Sequence, residues 1–408
     1  IANEIAGRQV FLTVTKPVAR WRVVVGKWFG IVILDALLLT AAGVGIYAVV
    51  GYLKTTPSVN EADRLSLENE ILTARESASP VQPDFSQLAV QRFNELRDQN
   101  RLPGDALGPS GQLTSDGQEI LDQLHKEISS RFWSVPPLDR TTWNFQGIAV
   151  DETRGDYAFI RYKAHVSRWP PREELHHLWE VGDPSRPGAA ISQPYMIPRK
   201  DVVAQYHVVP FPTDAVAPDG SLRITFWNRD YRYLDEPQRS FQTQVGFSDL
   251  GSLEILYTVG SFEANYVRGL LMILSQLMVL AAIGVLASTF LSFPVACLVT
   301  AIVFISAACS GFLFEALGAL SMDMPAITEH IDLALIFAVY LKPVTMTFIR
   351  LVPHLSNYNP IESLVDGRLI SWSWLGQAAL WLAGVESLAI LAIGSWIFKR
   401  RELAQVIV

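Results

Sequence analysis

Two neighbouring histidines follow two neighbouring glutamates, and these residue types can bind metal ions. His176 and His177 come shortly after Glu173 and Glu174. A zinc site needs three or four ligands, and no third ligand at zinc-like spacing follows the pair. Adjacent side chains on a strand also point to opposite faces, so the two imidazoles do not converge. We therefore expect His176 and His177 to be surface histidines in a loop and expect no metal site.

Motifs for phosphate binding and hydrolysis are absent from the sequence. Gly26-Lys27 is followed by Trp28 instead of a hydroxyl residue, and it lacks the upstream glycine of a phosphate-binding loop. Neither a Gly-x-Ser-x-Gly turn nor a His-Glu-x-x-His helix occurs. We expect the chain not to be an enzyme and to bind no cofactor itself. Any energy from a nucleotide must then come from a separate subunit.

Two carboxylates lie inside long apolar stretches. Asp35 is about one turn into the first stretch and Glu386 is in the middle of the last. A charged group there costs a few kcal/mol, so such residues usually face a bundle interior or a wet cavity. Each is therefore a candidate for a transport path or for the bundle interior. Alternatively, Asp35 reaches the membrane interface, and Glu386 is a protonated or hydrogen-bonded helix-packing group.

The apolar stretches that carry these carboxylates are long enough to cross a membrane. Residues 269–314 contain no Asp, Glu, Lys, Arg or His, and a bilayer core of about 30 Å needs roughly 20 helical residues. Four spans are predicted, at residues 29–53, 266–290, 293–315 and 373–398. The chain of 408 residues is half hydrophobic and carries 33 basic and 40 acidic residues, which excludes a basic nucleic-acid-binding protein. We predict an α-helical integral membrane bundle in contact with the lipid bilayer.

The charges between the spans predict the orientation. Residues 1–28 and the tail 399–408 are rich in Lys and Arg, which marks the cytoplasmic side. Residues 54–265 carry 21 basic and 30 acidic residues and are predicted to be extracytoplasmic. If both ends are cytoplasmic, the number of membrane crossings is even, and the four predicted spans meet this condition. We therefore interpret residues 316–372 as an outward loop with re-entrant or interfacial helices. A true crossing at residues 331–353 is the alternative.

The large outward segment has the pattern of an α+β domain inserted between two spans. Its first part, residues 57–135, is predicted to be helical, with apolar stripes at residues 61–76, 85–97 and 120–128. Its second part, residues 141–260, is predicted to be an antiparallel β-sandwich. The predicted strands are at residues 157–163, 202–209, 222–227, 241–245 and 253–259.

Aromatic residues in this second part invite a comparison with glycan-binding faces. They are Trp169, Trp179, Trp227, Tyr231 and Tyr233. Sandwich cores and rims also contain aromatic residues, so both interpretations stay open at this point.

The segment before the first span combines a short amphipathic pattern with a break. Residues 1–14 carry apolar positions along one helical face beside Glu4 and Arg8. Lys16-Pro17 then interrupts the helix, because proline cannot donate a hydrogen bond and restricts the residue before it. Such a segment is suited to receive a push from a partner; the alternative is an ordinary interfacial anchor.

Several of these segments resemble ABC-2 type transporter permeases. Residues 4–8, 15–20 and 25–30 are similar to the family's "tkPvsR…GKxxG" region. Residues 288–294 resemble its short cytoplasmic turn between two spans, and residues 398–402 its "F-x-R-R-E" end. The matching segments lie in the membrane portion. A long insert at residues 54–265 departs from many members, which have only a short loop there.

The resemblance implies a site and a set of partners. It implies six spans with the chain beginning after the second, and a coupling helix at residues 1–15 against an ATP-binding cassette ATPase. The coupling residues would be Glu4, Arg8, Lys16, Pro17, Arg20 and Lys27. ATP and Mg²⁺ would be bound by that ATPase, and the permease would pair with itself or a paralogue in a bacterial plasma membrane.

The expected function is therefore the permease subunit of an ATP-binding cassette exporter. One alternative is a membrane-anchored binding or sensing protein whose outward domain recognises a glycan or an envelope protein. Another is an ATP-binding cassette complex that transmits force without moving a substrate.

Overall fold

The chain forms two compact units, one of residues 1–72 with 261–408 and one of residues 73–260. The computed structural model describes residues 19–55, 71–99, 101–102, 106, 114–150, 155–233, 235–236, 239–247, 251–319 and 355–400. Four predicted features lie wholly or mostly outside these residues: the coupling helix 1–15, the start of the outward helical part, the segment 331–353 and the tail 399–408.

The elements alternate between the two units along the chain. The helices are α1 (Arg20–Thr55), α2 (Phe85–Asp98), α3 (Ser115–Phe132), α4 (Phe262–Phe290), α5 (Phe293–Ala319), α6 (Pro360–Val365) and α7 (Trp372–Arg400). Within α7, Ala379–Glu386 is π-helical. The strands are β1 (Thr73–Ala78), β2 (Ser134–Val135), β3 (Arg140–Phe145), β4 (Tyr157–Lys163), β5 (His165–Val166), β6 (Glu174–Val181), β7 (Tyr195–Val202), β8 (Tyr206–Pro212), β9 (Leu222–Trp227), β10 (Val245–Gly246) and β11 (Leu253–Ser261).

Four helices of the first unit, α1, α4, α5 and α7, are long and apolar enough to cross a membrane. The 29 residues of α4 span about 43 Å at 1.5 Å per residue, which exceeds a bilayer core of about 30 Å. Each predicted span falls within one of these helices. The prediction of a helical bundle with four candidate membrane spans and antiparallel sheets is confirmed.

The outer surface of α1 has the properties of a lipid-facing helix. Phe29, Leu37 and Ile46 are all more than half exposed. Trp21 and Tyr47 are exposed near the two ends of this apolar stretch. They lie 26 residues apart, about 39 Å along a helix, close to the thickness of a bilayer with its headgroup regions. Aromatic residues concentrate at both membrane interfaces, so this spacing supports a transmembrane helix.

Helix α4 is the most buried of the four candidate spans. On one side it receives an apolar stripe of α1, formed by Val24, Trp28 and Val32, which are spaced four residues apart on one helical face. The small Ala281 and Ala282 on α4 allow the backbones to approach closely. Two residues of α7 complete this cluster, Leu391 and Phe398.

Three polar side chains on α4 hold the segment that leads into α7. Asn265 Nδ2 donates to the carbonyl of Arg368 at 2.7 Å, and its Oδ1 accepts from the backbone N–H of Ile370 at 2.8 Å. Arg268 donates to the Ile370 carbonyl at 3.2 Å, and Gln276 to the Tyr358 carbonyl at 2.8 Å. Irregular backbone packed among membrane helices needs such partners because little water reaches it.

Glycines permit the two closest helix contacts of α4. A Cβ on Gly269 would lie 2.5 Å from Leu364 of α6, and one on Gly43 of α1 would lie 2.8 Å from Leu270. A larger residue at either position would require the leucine side chain to shift. The carbonyl of Gly43 also accepts the hydroxyl of Tyr266 at 2.9 Å.

The second unit is an antiparallel β-sandwich. One four-stranded sheet has the order β1-β11-β4-β8 and the other β3-β9-β6-β7. A third, small sheet has the order β2-β10-β5. Side chains from both four-stranded sheets share one core, which includes Ile160, Phe211 and Ile255 from the first sheet and Trp143 and Phe226 from the second.

The border strands of the two large sheets carry prolines. Pro210 and Pro212 are on β8, and Pro198 is on β7. Proline has no N–H to donate, so within sheets it is tolerated where that position faces away from the ladder. β8 and β7 each stand at the end of their sheet.

Three predicted elements of this domain are wrong in part. The predicted helix at residues 61–76 ends in strand β1, whose Thr73 and Ala74 are buried beside β11. The predicted strand 202–209 is divided at Val203–Gln205, where Ala204 has a φ of 63°. There the chain crosses from one sheet to the other without the glycine or asparagine that usually marks such a turn.

The third is the predicted strand 241–245, of which only Val245 is in a strand. Thr243 is buried instead, and its hydroxyl donates to the Arg168 carbonyl at 2.9 Å. The remaining predicted strands, 157–163, 222–227 and 253–259, coincide with or lie within β4, β9 and β11.

Replacing Asn265 by Leu is expected to loosen the segment before α7. The substitution leaves the N–H of Ile370 and the carbonyl of Arg368 without their partner, at a cost of about 2 kcal/mol. Hydrogen exchange of the detergent-solubilised chain should show faster exchange in residues 366–372. Thr40→Ala is the control, because the Thr40 hydroxyl bonds only within its own helix, to Ala36. Unchanged exchange at Ile370 in Asn265→Leu would contradict the assigned role.

Candidate functional site

The first residue of α1 binds the last turn of α7. Nη1 of Arg20 donates to the Lys399 carbonyl at 3.0 Å and to the Phe398 carbonyl at 3.3 Å. These partners are 378 and 379 residues away in the sequence. The start of the first described span and the end of the last therefore lie at the same end of the bundle.

The physical basis of this contact is the chemistry of a helix C-terminus. The last carbonyls of a helix have no intrahelical partner, and the helix dipole places partial negative charge there. A guanidinium supplies both hydrogen bonds and positive charge. Such an interaction contributes about 1 kcal/mol, and up to about 2 kcal/mol where it is partly buried.

Other basic and aromatic side chains surround Arg20 at this end. The guanidinium of Arg22 lies 5.6 Å from the ring centre of Trp21, and that of Arg400 lies 4.2 Å from Trp396. Both tryptophans are more than half exposed. Cationic and aromatic side chains of this kind favour a membrane–water interface.

Trp28 connects this end to the interior of the bundle. It lies two turns beyond Arg20 on α1, is 8% exposed, and donates from Nε1 to the Met278 carbonyl of α4 at 2.9 Å. The indole nitrogen thus finds a partner inside an otherwise apolar cluster, as a buried tryptophan requires. Arg20 and Trp28 together join α1 to both α7 and α4.

The structure describes two of the six predicted coupling residues. Arg20 makes the contact with α7, and Lys27 is a partly buried residue of α1, next to Trp28. The other four, Glu4, Arg8, Lys16 and Pro17, lie outside the described residues. Their predicted role stays a prediction.

The two intramembrane carboxylates lie on different helices. Asp35 is a partly exposed residue of α1, one position before Ala36 of a groove along α4. Glu386 is partly buried and is the last residue of the π-helical segment of α7. π-helical turns within α-helices are often found at functional sites, and sequence patterns gave no signal for this one.

An apolar groove of about 420 Å³ runs between α1 and α4. Its walls include Leu39, Val44 and Leu270, and its few polar groups include Tyr47 and Tyr266. The lining also includes one carboxylate, Glu263, so an anionic ligand is unsuited to this groove. Lipid hydrocarbon matches its lining.

The structure corrects the prediction that His176 and His177 are surface residues in a loop. Both are in strand β6, and His177 is completely buried while His176 points to the opposite side, near Tyr231. Within the residues that the structure describes, no group of three or more His, Cys, Asp or Glu side chains could hold a metal ion.

His177 belongs to a buried polar network in the sandwich core. The Tyr162 hydroxyl donates to Asp201 and lies 3.0 Å from His177 Nε2. Arg199 donates to the same carboxylate from Nη2 at 2.6 Å. His207 lies 3.6 Å from Asp201 through Nδ1. The network therefore joins β4, β6, β7 and β8 across both sheets.

Burial and hydrogen bonding change the ionisation of this network. Burial lowers the pKa of His177 to about 4, so the imidazole is neutral near neutral pH. Burial alone would raise the pKa of Asp201, but hydrogen bonds from Arg199 and Tyr162 outweigh it and hold that pKa below its ordinary value. Burial, then Asp201, raises the pKa of Tyr162. Tyr162, His177 and Asp201 are buried while Arg199 and His207 are partly exposed, and the burial of the three central groups indicates a structural role.

The aromatic residues considered for glycan binding do not form one face. Trp179 is fully buried in the core, whereas Trp169 is 58% exposed. Trp227 is partly buried, and its ring has the guanidinium groups of Arg140 and Arg229 at 4.6 and 4.9 Å. Those arginines occupy ring surface on which a sugar would stack.

Comparisons of this chain with protein-family models, with curated proteins and with solved structures found no match.

Acidification is expected to destabilise the sandwich through His177. Its pKa is about 4 in the folded domain and 6.5 ordinarily, so the folded state binds fewer protons. The contribution of neutral His177 to the free energy of unfolding is therefore fully present above about pH 6.5. It is lost as the pH falls toward 4, by as much as about 3 kcal/mol. Hydrogen exchange of β4 and β6, corrected for intrinsic rates, should report this loss in the full chain.

His177→Phe and His165→Gln separate this effect from general acid sensitivity. His177→Phe keeps a ring in the core but cannot be protonated, so its stability should change much less between about pH 7 and pH 5. His165 is exposed, and its substitution should leave the wild-type pH dependence intact. An unchanged pH slope in His177→Phe would show that another group is responsible.

Proposed function

We propose that this chain is the permease subunit of an ATP-binding cassette transporter, most simply an exporter. A separate ATPase would bind ATP and Mg²⁺, and two permeases, identical or paralogous, would form the path. Support comes from the four candidate spans, from the basic end of the bundle and from the sequence resemblance. Residues 1–28 and 399–408 would be cytoplasmic in a bacterial plasma membrane, and residues 54–265 extracytoplasmic.

The contact of Arg20 with the end of α7 is the observation that carries this proposal. Two of the segments that resemble the permease family are residues 15–20 and 398–402, at opposite ends of the described chain. Arg20 brings them together at one end of the bundle. Segments that act on a common partner need to be neighbours in space, and the contact of Arg20 with Phe398 and Lys399 supports this for the described part of both segments.

The same contact gives a route by which force would enter the membrane. Displacement of the segment before α1 would move Arg20, and Arg20 is bonded to the last turn of α7. Trp28 would pass the movement to α4 through its bond to the Met278 carbonyl. In this scheme one push rearranges three spans together, because packed helices shift as units.

A membrane-anchored binding protein is the second candidate. It is favoured by the separate β-sandwich, which has its own core and its own compact unit. This candidate predicts no associated ATPase and no effect of Arg20 on transport. Purification of the chain therefore distinguishes the two candidates, because only the permease is expected to purify with an ATPase.

Arg20→Glu is expected to uncouple ATP hydrolysis from transport. A carboxylate beside the α7 carbonyls replaces attraction with repulsion, a change of about 2 kcal/mol or more than tenfold in the population of the joined state. The full-length chain would be purified with its ATPase, reconstituted, and assayed for ATP hydrolysis and vesicle transport. Arg22→Glu is the matched control, because Arg22 lies at the same end of the bundle and stacks on Trp21.

Topology is measured in the same system by cysteine labelling. Cys297 and Cys309 are exposed and would first be replaced by serine. A cysteine at residue 22 should react only from the cytoplasmic side, and one at residue 169 only from outside. A chain that purifies without any ATP-hydrolysing subunit, or residue 22 reacting from outside, would contradict the permease assignment.

A further inference from the structure

A groove of about 550 Å³ lies on the second unit, between helix α3 and the small sheet β2-β10-β5. One wall is a face of α3 that carries His125, Lys126 and Ser129. The opposite side contains His165 and Ser167 from the segment that begins with β5. All of these residues belong to one compact unit.

A glycine opens the floor of this groove. Gly246 on β10 lies directly opposite Ser134 of β2 and His165 of β5. Paired residues on neighbouring strands present their side chains to the same face. Ser134, Gly246 and His165 therefore lie side by side on one face, and the middle residue has no side chain. A Cβ built on Gly246 meets no atom within 4 Å. The space between Ser134 and His165 is therefore open because the residue between them has no side chain.

The lining has the chemistry of an anion site. It contains an ammonium, two imidazoles, several serine hydroxyls and an amide, and none of its residues is Asp or Glu. This contrasts with the acidic excess of residues 54–265. Among the described residues, Lys126, His125 and His165 have no carboxylate within ion-pair distance, so their donors are available to a ligand.

The size of the groove points to an organic molecule larger than a simple ion. Small-molecule sites typically have volumes of about 300–1,000 Å³, combining an apolar floor with a few polar groups. Here Trp133 contributes apolar floor, and the serines contribute hydroxyls. A hydroxylated compound with one carboxylate or phosphate group matches both features.

We propose that this groove binds a small hydroxylated organic anion. Lys126 and the two imidazoles would bind its carboxylate or phosphate, and Ser129, Ser134 and Ser167 its hydroxyl groups. This inference is independent of the permease assignment, because it rests only on residues of the second unit.

Calorimetric titration of the full-length chain in detergent tests the proposal. The probes are glucuronate and glucose 6-phosphate, with glucose as the uncharged match. We expect both anions to bind and glucose not to bind. Lys126→Gln should weaken anion binding by about tenfold or more, because hydrogen bonds to a charged group are lost. Lys200→Gln should have no effect, because Lys200 is on β7 and pairs with Glu174.

Gly246→Val provides a second, independent variant. Valine suits a strand, and its side chain would fill the open gap between Ser134 and His165 without meeting another atom near its Cβ. Binding of both anions should be abolished while hydrogen exchange of β4 and β9 stays at the wild-type level. The proposal is overturned if neither anion binds the wild-type chain, or if Lys126→Gln and Gly246→Val bind them as tightly as the wild type.

Discussion

The first unit, which contains the four candidate spans, depends on hydrogen bonds to the irregular backbone before α7. Four candidate spans are apolar on most of their surface, and apolar packing alone does not determine which helices neighbour each other in lipid. Asn265, Arg268 and Gln276 place hydrogen-bond donors and acceptors along one helix, opposite backbone groups of residues 355–370. These bonds place the start of α7 beside α4.

At the other end of the bundle, one guanidinium performs a related function. Arg20 binds the carbonyls with which α7 ends, and Trp28 binds a carbonyl within α4. The bundle is thus closed at both ends by polar side chains acting on backbone groups of another helix. Between these ends, alanines and glycines allow the helices to approach. This arrangement gives specific pairing to helices whose outer surfaces are largely apolar.

Sequence patterns located the spans because about 20 apolar residues in succession have few other uses in a protein. They also located β4 and β9 to the residue, where turn signals flank β-rich runs. They failed where tertiary context decides. β1 forms from a segment with a helical pattern because it completes a sheet, and Ala204 turns the chain without a turn residue. The carbonyl partners of Arg20 are 378 and 379 residues away. Those of His177, Tyr162 and Asp201, are 15 and 24 residues away. Neither pairing leaves a local sequence pattern.

The prolines of β7 and β8 have a consequence for molecules confined to one membrane plane. Proteins held in two dimensions meet their own copies often, and a sheet border with free N–H groups would let them stack edge to edge into fibrils. Pro198, Pro210 and Pro212 remove donors from the two borders that they occupy. At these two borders, copies of the domain that meet therefore find fewer backbone donors with which to extend a sheet.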